Sequence, residues 1–152
     1  MPNTKVTNKH LLPVYNKPMI YYAIETLLRA GIRDILILPG KEQAGAFTQL
    51  LGSGSDFNAN FTYRVQESAS GLAYAVGLAE SFVGNDRFMV VFGDNIIFDD
   101  LSKDVSEFKE GAKVFLTKVH DPSRHGIAEL QGDRVVRIIE KPTNPPSDWA
   151  VV

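Results

Sequence analysis

Ile35-Leu36-Ile37-Leu38-Pro39-Gly40 is a short apolar run closed by two turn-forming residues, and its reading decides the fold. Four consecutive apolar side chains fit a strand buried on both faces, as in parallel sheets covered by helices. Upstream, residues 18–30 place Ile20, Ile24, Leu27 and Leu28 on one helical face, with Pro18 suited to the first turn and Gly31 to the stop. Helix, strand and turn in succession predict an α/β fold, and the pattern continues. Ala44, Phe47, Leu50 and Leu51 mark a second helix ending at Gly52, a Gly-Ser-Gly-Ser loop follows, and residues 61–65 alternate as a strand does. Ser70-Gly71 opens a third helix with Leu72, Ala75, Val76 and Ala79 facing inward. Phe88-Met89-Val90-Val91-Phe92 is the most hydrophobic run of the chain and is expected to be a central strand. Asp94 follows directly, at the strand end where open α/β sheets bind ligands.

The last third differs in character. Residues 113–119, 127–130 and 134–139 are strand-like, and Gly132-Asp133 provides a tight hairpin turn, so the sheet is expected to be mixed. Pro142, Pro145 and Pro146 stop the last strand and continue the chain as an extended segment. No linker, repeat or low-complexity tract divides residues 1–152, which read as a single domain.

Composition narrows the function. A net charge of −2 supplies no large basic surface for nucleic acid or an anionic membrane, while leaving a small local anion site open. The absence of cysteine removes disulfides, thiolate metal sites and cysteine nucleophiles, and fits a cytoplasmic protein. The N-terminus has no apolar signal core, and no stretch approaches the roughly 18 apolar residues of a membrane span.

Four segments carry candidate chemistry. Lys9-His10-Leu11-Leu12-Pro13-Val14 precedes Lys17-Pro18-Met19-Ile20-Tyr21-Tyr22; taken alone, Lys9 reads as a solvated lysine, although an ammonium also neutralises charge growing on a departing pyrophosphate. In Val65-Gln66-Glu67-Ser68-Ala69-Ser70-Gly71, an amide at a strand end and free backbone groups at a helix start suit a planar ligand edge. The plainer alternative is serines capping a helix beside a surface glutamine. In Phe92-Gly93-Asp94-Asn95, a carboxylate at a strand end suits magnesium bridging phosphates, or simply forms a turn. Arg124-His125-Gly126-Ile127 and Glu140-Lys141-Pro142 pair a glycine with a carboxylate that accepts hydroxyl hydrogen bonds and an ammonium that neutralises phosphate; a solvated charged pair is the alternative.

In this order the four segments resemble the sugar-1-phosphate nucleotidyltransferase family, most closely its glucose-1-phosphate thymidylyltransferases. The resemblance implies a Rossmann-like three-layer α/β/α nucleotidyltransferase fold with a mixed, mainly parallel central sheet. It implies transfer of a nucleotidyl group from dTTP (or UTP) to glucose-1-phosphate, giving dTDP-glucose and pyrophosphate. By that resemblance Lys9 and Asp94 are catalytic, Lys9, Gln66 and Gly71 bind nucleotide, Gly126, Glu140 and Lys141 bind sugar phosphate, and Asp94 holds Mg2+. Ala73-Tyr74-Ala75 replaces the family's Ala-Gln-Ala, and His125 replaces its tyrosine. The family opens with a strand and a glycine-rich phosphate loop, whose trailing edge Thr4-Lys5 resembles, and continues past the segment matching Asp148-Trp149-Ala150-Val151 to a second metal-binding aspartate. The chain is therefore expected to be incomplete at both ends, impaired in catalysis, and left with two unpaired sheet edges. Alternatives are a non-catalytic nucleotide or sugar-phosphate binding module and an assembly fragment completed by another chain; a homo-oligomer stays open. A GT-A-type glycosyltransferase would present Asp-x-Asp where Gly93-Asp94-Asn95 stands.

Overall fold

Strands β1 (Pro13–Val14) and β2 (Lys17–Pro18) form a two-residue hairpin across Tyr15 and Asn16, with Tyr15 in the left-handed region at φ 59°. The fold is taken from a computed structural model that describes residues 8–68 and 70–152; Thr4-Lys5 and Ala69 lie outside the described residues. Helix α1 (Met19–Arg29) follows at once, its first turn prepared by Pro18, and ends against Gly31 at φ 85°. Ile20, Ala23 and Ile24 recur at helical spacing and are buried. They pack with Ile35 and Ile37 of β3 (Asp34–Ile37), Phe47 and Leu51 of α2 (Ala44–Leu51), and Phe61 of β4 (Asn60–Tyr63). The two strands pair in parallel, Ile35 opposite Phe61 and Ile37 opposite Tyr63, which requires the intervening α2 as crossover.

The expected strand at residues 88–92 does not form: among the described residues it joins no ladder. Its burial nevertheless alternates. Met89 and Val91 are half-buried, Val91 against the α1–β3 core, whereas Phe88, Val90 and Phe92 are 54%, 49% and 38% exposed. A strand apolar on both faces needs cover on both faces, and here one face has it. Helix α3 (Leu72–Leu78) shows the same shortfall. The expectation that Leu72, Ala75, Val76 and Ala79 face inward fails at Leu72, which is exposed, and α3 buries no residue fully. Val76, Ala79 and Val83 instead line an open apolar groove of about 310 Å³ with Phe88. Such surface favours self-association. Val90→Lys is expected to raise the concentration at which the chain stays monomeric in light scattering; unchanged association would show that this segment is not the adhesive one.

The short helices α4 (Glu80–Val83) and α5 (Ser102–Glu107) complete the first of two units, which divide after Glu107. The second unit is one antiparallel sheet in the order β5-β8-β6-β7, formed by β5 (Leu116–Lys118), β6 (Gly126–Gln131), β7 (Arg134–Glu140) and β8 (Trp149–Val151). Gly132 at φ 61° opens the two-residue β6–β7 turn, the position where a type II′ hairpin needs glycine. Ile127, Ala128 and Ala150 form its buried centre, with Ile127 opposite both Ile139 and Ala150. The strand expected over 113–119 shrinks to β5, because its partner β8 offers three residues, from Leu116 opposite Val151 to Lys118 opposite Trp149. Parallel and antiparallel pairings thus occupy separate sheets among the described residues. No described helix is long and apolar enough to cross a membrane.

Candidate active site

Lys9 lies in a single helical turn whose start is held by Asn8, the side-chain oxygen of which accepts from the His10 N–H at 2.9 Å. Asp94 sits in the tight turn after the 88–92 run, where the Asn95 N–H donates to the Phe92 carbonyl at 3.0 Å. Helix α1 fixes both. A Cβ on Gly93 would come within 3.1 Å of Ile20 Cδ1 and 3.3 Å of the His10 ring, so a larger residue would press those side chains back by a few tenths of an ångström. Downstream, Arg29 donates to the Ile97 carbonyl at 2.5 Å. The outcome is an ion pair between residues 85 apart in sequence: Lys9 Nζ is 2.5 Å from Asp94 Oδ2.

Partial burial disfavours the Asp94 carboxylate, but the Lys9 hydrogen bond and charge, aided by His10, outweigh it and lower its pKa below 3.8. His10, half-buried between α1 and Gly93, is shifted down from its ordinary value by burial first; Asp94 opposes that shift and Lys9 adds to it. A carboxyl whose folded pKa is depressed contributes stability above its unfolded pKa and loses it as pH falls through the folded one. The side chains of Lys9 and Asp94 are 55% and 38% exposed, so solvent screening limits the pair to about 1 kcal/mol at most. The stability gap between parent and Asp94→Asn is therefore expected to be small near pH 7 and to close as the pH drops below 3.8, measured by urea denaturation. A gap that widened on acidification would contradict the pairing.

Gln66 stands just beyond β4 and bridges to Gly40. Its N–H donates to the Pro39 carbonyl at 2.9 Å and its Nε2 to the Leu38 carbonyl at 2.7 Å, so its amide is oriented by the loop after β3. Gly71 precedes α3 at φ 88°, and a Cβ there would meet nothing within 4 Å. Backbone conformation, not crowding, calls for glycine. The serines do not cap α3: the Ser68 and Ser70 hydroxyls lie 2.7 Å apart and bond each other.

In the second unit Gly126 opens β6 directly opposite Glu140, the last residue of β7. The Lys141 N–H donates to the His125 carbonyl at 2.9 Å, and Lys141 Nζ lies 3.6 Å from Glu140 Oε1. These three residues are together, as are Lys9 and Asp94 in the first unit.

Sequence reading missed the anchoring role of Lys17, Tyr22 and Glu25. Lys17 Nζ is 2.5 Å from both Glu25 carboxylate oxygens and 4.3 Å from the centre of the Tyr22 ring, while the Tyr22 hydroxyl donates to the Val14 carbonyl at 2.8 Å. The signal was available: position 25 lies one helical face along from Tyr21 and Tyr22, within reach of a lysine just before the helix. No three His, Cys, Asp or Glu side chains converge as a metal centre among the described residues. Asp94 offers one hard carboxylate, a donor that suits a hard cation such as Mg2+ but does not by itself make a protein-caged site.

The first unit thus carries a cation–carboxylate pair after an apolar run, and the sheet of the second unit bears another such pair. The family pattern described as nucleotidyl transferase matches residues 1–152, and the chain belongs to that family. It is 46% identical to glucose-1-phosphate thymidylyltransferase of Neisseria meningitidis, over 99% of this chain and 54% of that protein. The enzyme of the same name from Mycolicibacterium smegmatis is 41% identical, again with 99% and 54% covered. A solved structure from Bacillus anthracis, in complex with sucrose, is 54% identical with a TM-score of 0.94, covering 99% of this chain and 62% of that one. The UTP-bound UGPase from Acinetobacter baumannii, at 24% identity and TM-score 0.79 over 100% of this chain and 67% of its own, shares the Rossmann-like fold. The chain spans about half the length of the curated relatives it matches.

Proposed function

We propose that this chain serves nucleotidyl transfer from dTTP to glucose-1-phosphate. A phosphate oxygen of the sugar attacks the α-phosphorus, the bond to the β-phosphate breaks, and dTDP-glucose and pyrophosphate result. The Lys9–Asp94 pair carries this reading, because two oppositely charged side chains so far apart in sequence are assembled where α1 packs on the Gly93 turn. On binding nucleotide, Lys9 exchanges its carboxylate partner for polyphosphate oxygens and neutralises charge on the leaving pyrophosphate. Asp94, so released, is the residue that would hold Mg2+, which neutralises the polyphosphate when bound. Gln66 and Gly71 take the pyrimidine edge, and Gly126, Glu140 and Lys141 take the sugar phosphate. No covalent intermediate is required; positioning and charge neutralisation suffice.

The relatives' shared name supports the substrates. The test is calorimetric titration of the chain with dTTP, UTP and glucose-1-phosphate, with and without Mg2+, beside an assay of pyrophosphate release. Binding of dTTP strengthened by Mg2+, with release of pyrophosphate, is expected. Binding without any release would make the chain a binding module instead, and absence of binding to every ligand at millimolar concentration would overturn the proposal.

A further inference from the structure

Glu140 and Lys141 are consecutive, and consecutive side chains of an extended strand point to opposite faces. Yet their charged ends lie 3.6 Å apart. The cause is visible at Lys141, where φ is 45°: the chain leaves β7 through the left-handed region, which β7's own residues do not enter. Any residue but glycine is disfavoured there, so something outside the residue must hold it. The ion pair cannot, since both side chains are exposed and such pairs contribute little. The backbone bond from the Lys141 N–H to the His125 carbonyl can, as it ties the turn to the residue preceding β6.

One residue further on, Gly126 faces Glu140 across the ladder. A Cβ on Gly126 would come within 3.2 Å of Glu140 Oε2 and 3.6 Å of Ile138 Cγ2. The second distance is ordinary contact, but the first is not. A side chain at 126 would therefore crowd the carboxylate, which would have to give by a few tenths of an ångström. The carboxylate is the far end of a flexible side chain, so an added methyl displaces it at small cost to the fold.

From these two observations we infer that Gly126 is a positioning residue: its missing side chain lets the Glu140 carboxylate lie over the start of β6, beside the ammonium that the left-handed Lys141 backbone turns to the same side. The ligand class is a phosphorylated polyol, hydroxyls accepted by the carboxylate and phosphate by the ammonium. The inference rests on the sugar-phosphate reading for its ligand, but the placement of the carboxylate does not. Glycine here is not merely permissive to an approaching sugar; it sets where the acid sits.

The test has two arms. Without ligand, the side-chain carboxyl ¹³C resonance of Glu140 is compared between parent and Gly126→Ala, with Glu129 on the same strand pair as reference. A shift at Glu140 and none at Glu129 is expected; an unmoved Glu140 signal overturns the positioning role, whatever the protein binds. With ligand, glucose-1-phosphate is titrated calorimetrically into parent, Gly126→Ala, Glu140→Ala and the double variant. Gly126→Ala is expected to weaken binding roughly tenfold in the parent and less than about twofold in the Glu140→Ala background, because the two changes act on one interaction. Equal losses in both backgrounds overturn it. Failure of the parent to bind removes the sugar-phosphate reading, and the resonance arm then decides the positioning role alone. Should Gly126→Ala not fold, Glu140→Asp withdraws the carboxylate by one methylene while leaving position 126 untouched; it is expected to weaken binding to a similar degree, and unchanged affinity overturns the proposal.

Discussion

Replacing Lys9 with methionine is expected to lower pyrophosphate release roughly 10²-fold, the scale on which removal of one preorganised charge or donor at a developing anion is felt. The substitution keeps the length of the stem and removes only the ammonium, so it separates electrostatics from packing. Lys9 makes its ion pair from an exposed position, and its loss leaves Asp94 with water rather than in a dry site. Folding should therefore change little, within the approximately 1 kcal/mol of an exposed pair. Lys9→Arg is a further discriminator. A guanidinium is planar and longer, and at a point-charge site it is not a conservative exchange. Partial activity in arginine and none in methionine would identify charge as the requirement; unaltered dTTP affinity and release in Lys9→Met would remove this residue from the site.

Ile24→Ala is expected to cost about 2–5 kcal/mol, a large part of the stability of a small domain. Ile24 is 1% exposed at the centre of the α1 face, against β3, α2 and β4, so its three lost carbons leave a cavity that parallel-paired strands and two helices cannot close independently. Ile24→Val removes one carbon and is expected to cost about 0.5–1.5 kcal/mol. The midpoint of urea denaturation checks both. A loss below about 1 kcal/mol for alanine would mean that this face is not the organising core of the first unit. The same cluster carries Ile20, which touches the Gly93 turn, so the large variant should also loosen the Lys9–Asp94 pairing and weaken nucleotide binding in proportion.

Residues 18–63 show how far the amino-acid order reaches. Helix α1, strand β3, helix α2 and strand β4 stand within a residue or two of where periodicity put them, since each buries a face whose spacing is written locally. Three-residue β8 left no such mark, and it was found only as the partner between β5 and β6. At 88–92 the pattern was misleading about both cover and pairing, since Phe88, Val90 and Phe92 stay exposed. Alternating burial is present, but a ladder is a property of two segments, and apolar character cannot summon the second one.

The candidate residues divide in the same manner. Lys9, Gln66, Gly71, Asp94, Gly126, Glu140 and Lys141 were legible as candidates, through residue type and through wording shared with a family. Their partners were not. That Lys9 reaches Asp94, that Lys17 locks Glu25, and that Gln66 spends an N–H on the Leu38 carbonyl depend on distances across the fold.

By itself the order of residues determined an α/β beginning, an antiparallel end, a hairpin at Gly132 and the kinds of charge available, because these follow from local periodicity and from which groups ionise. Tertiary structure alone decided which charges meet, which apolar face stays uncovered and why residue 126 lacks a side chain, because each of these is set by atoms brought within a few ångströms from distant positions in the chain.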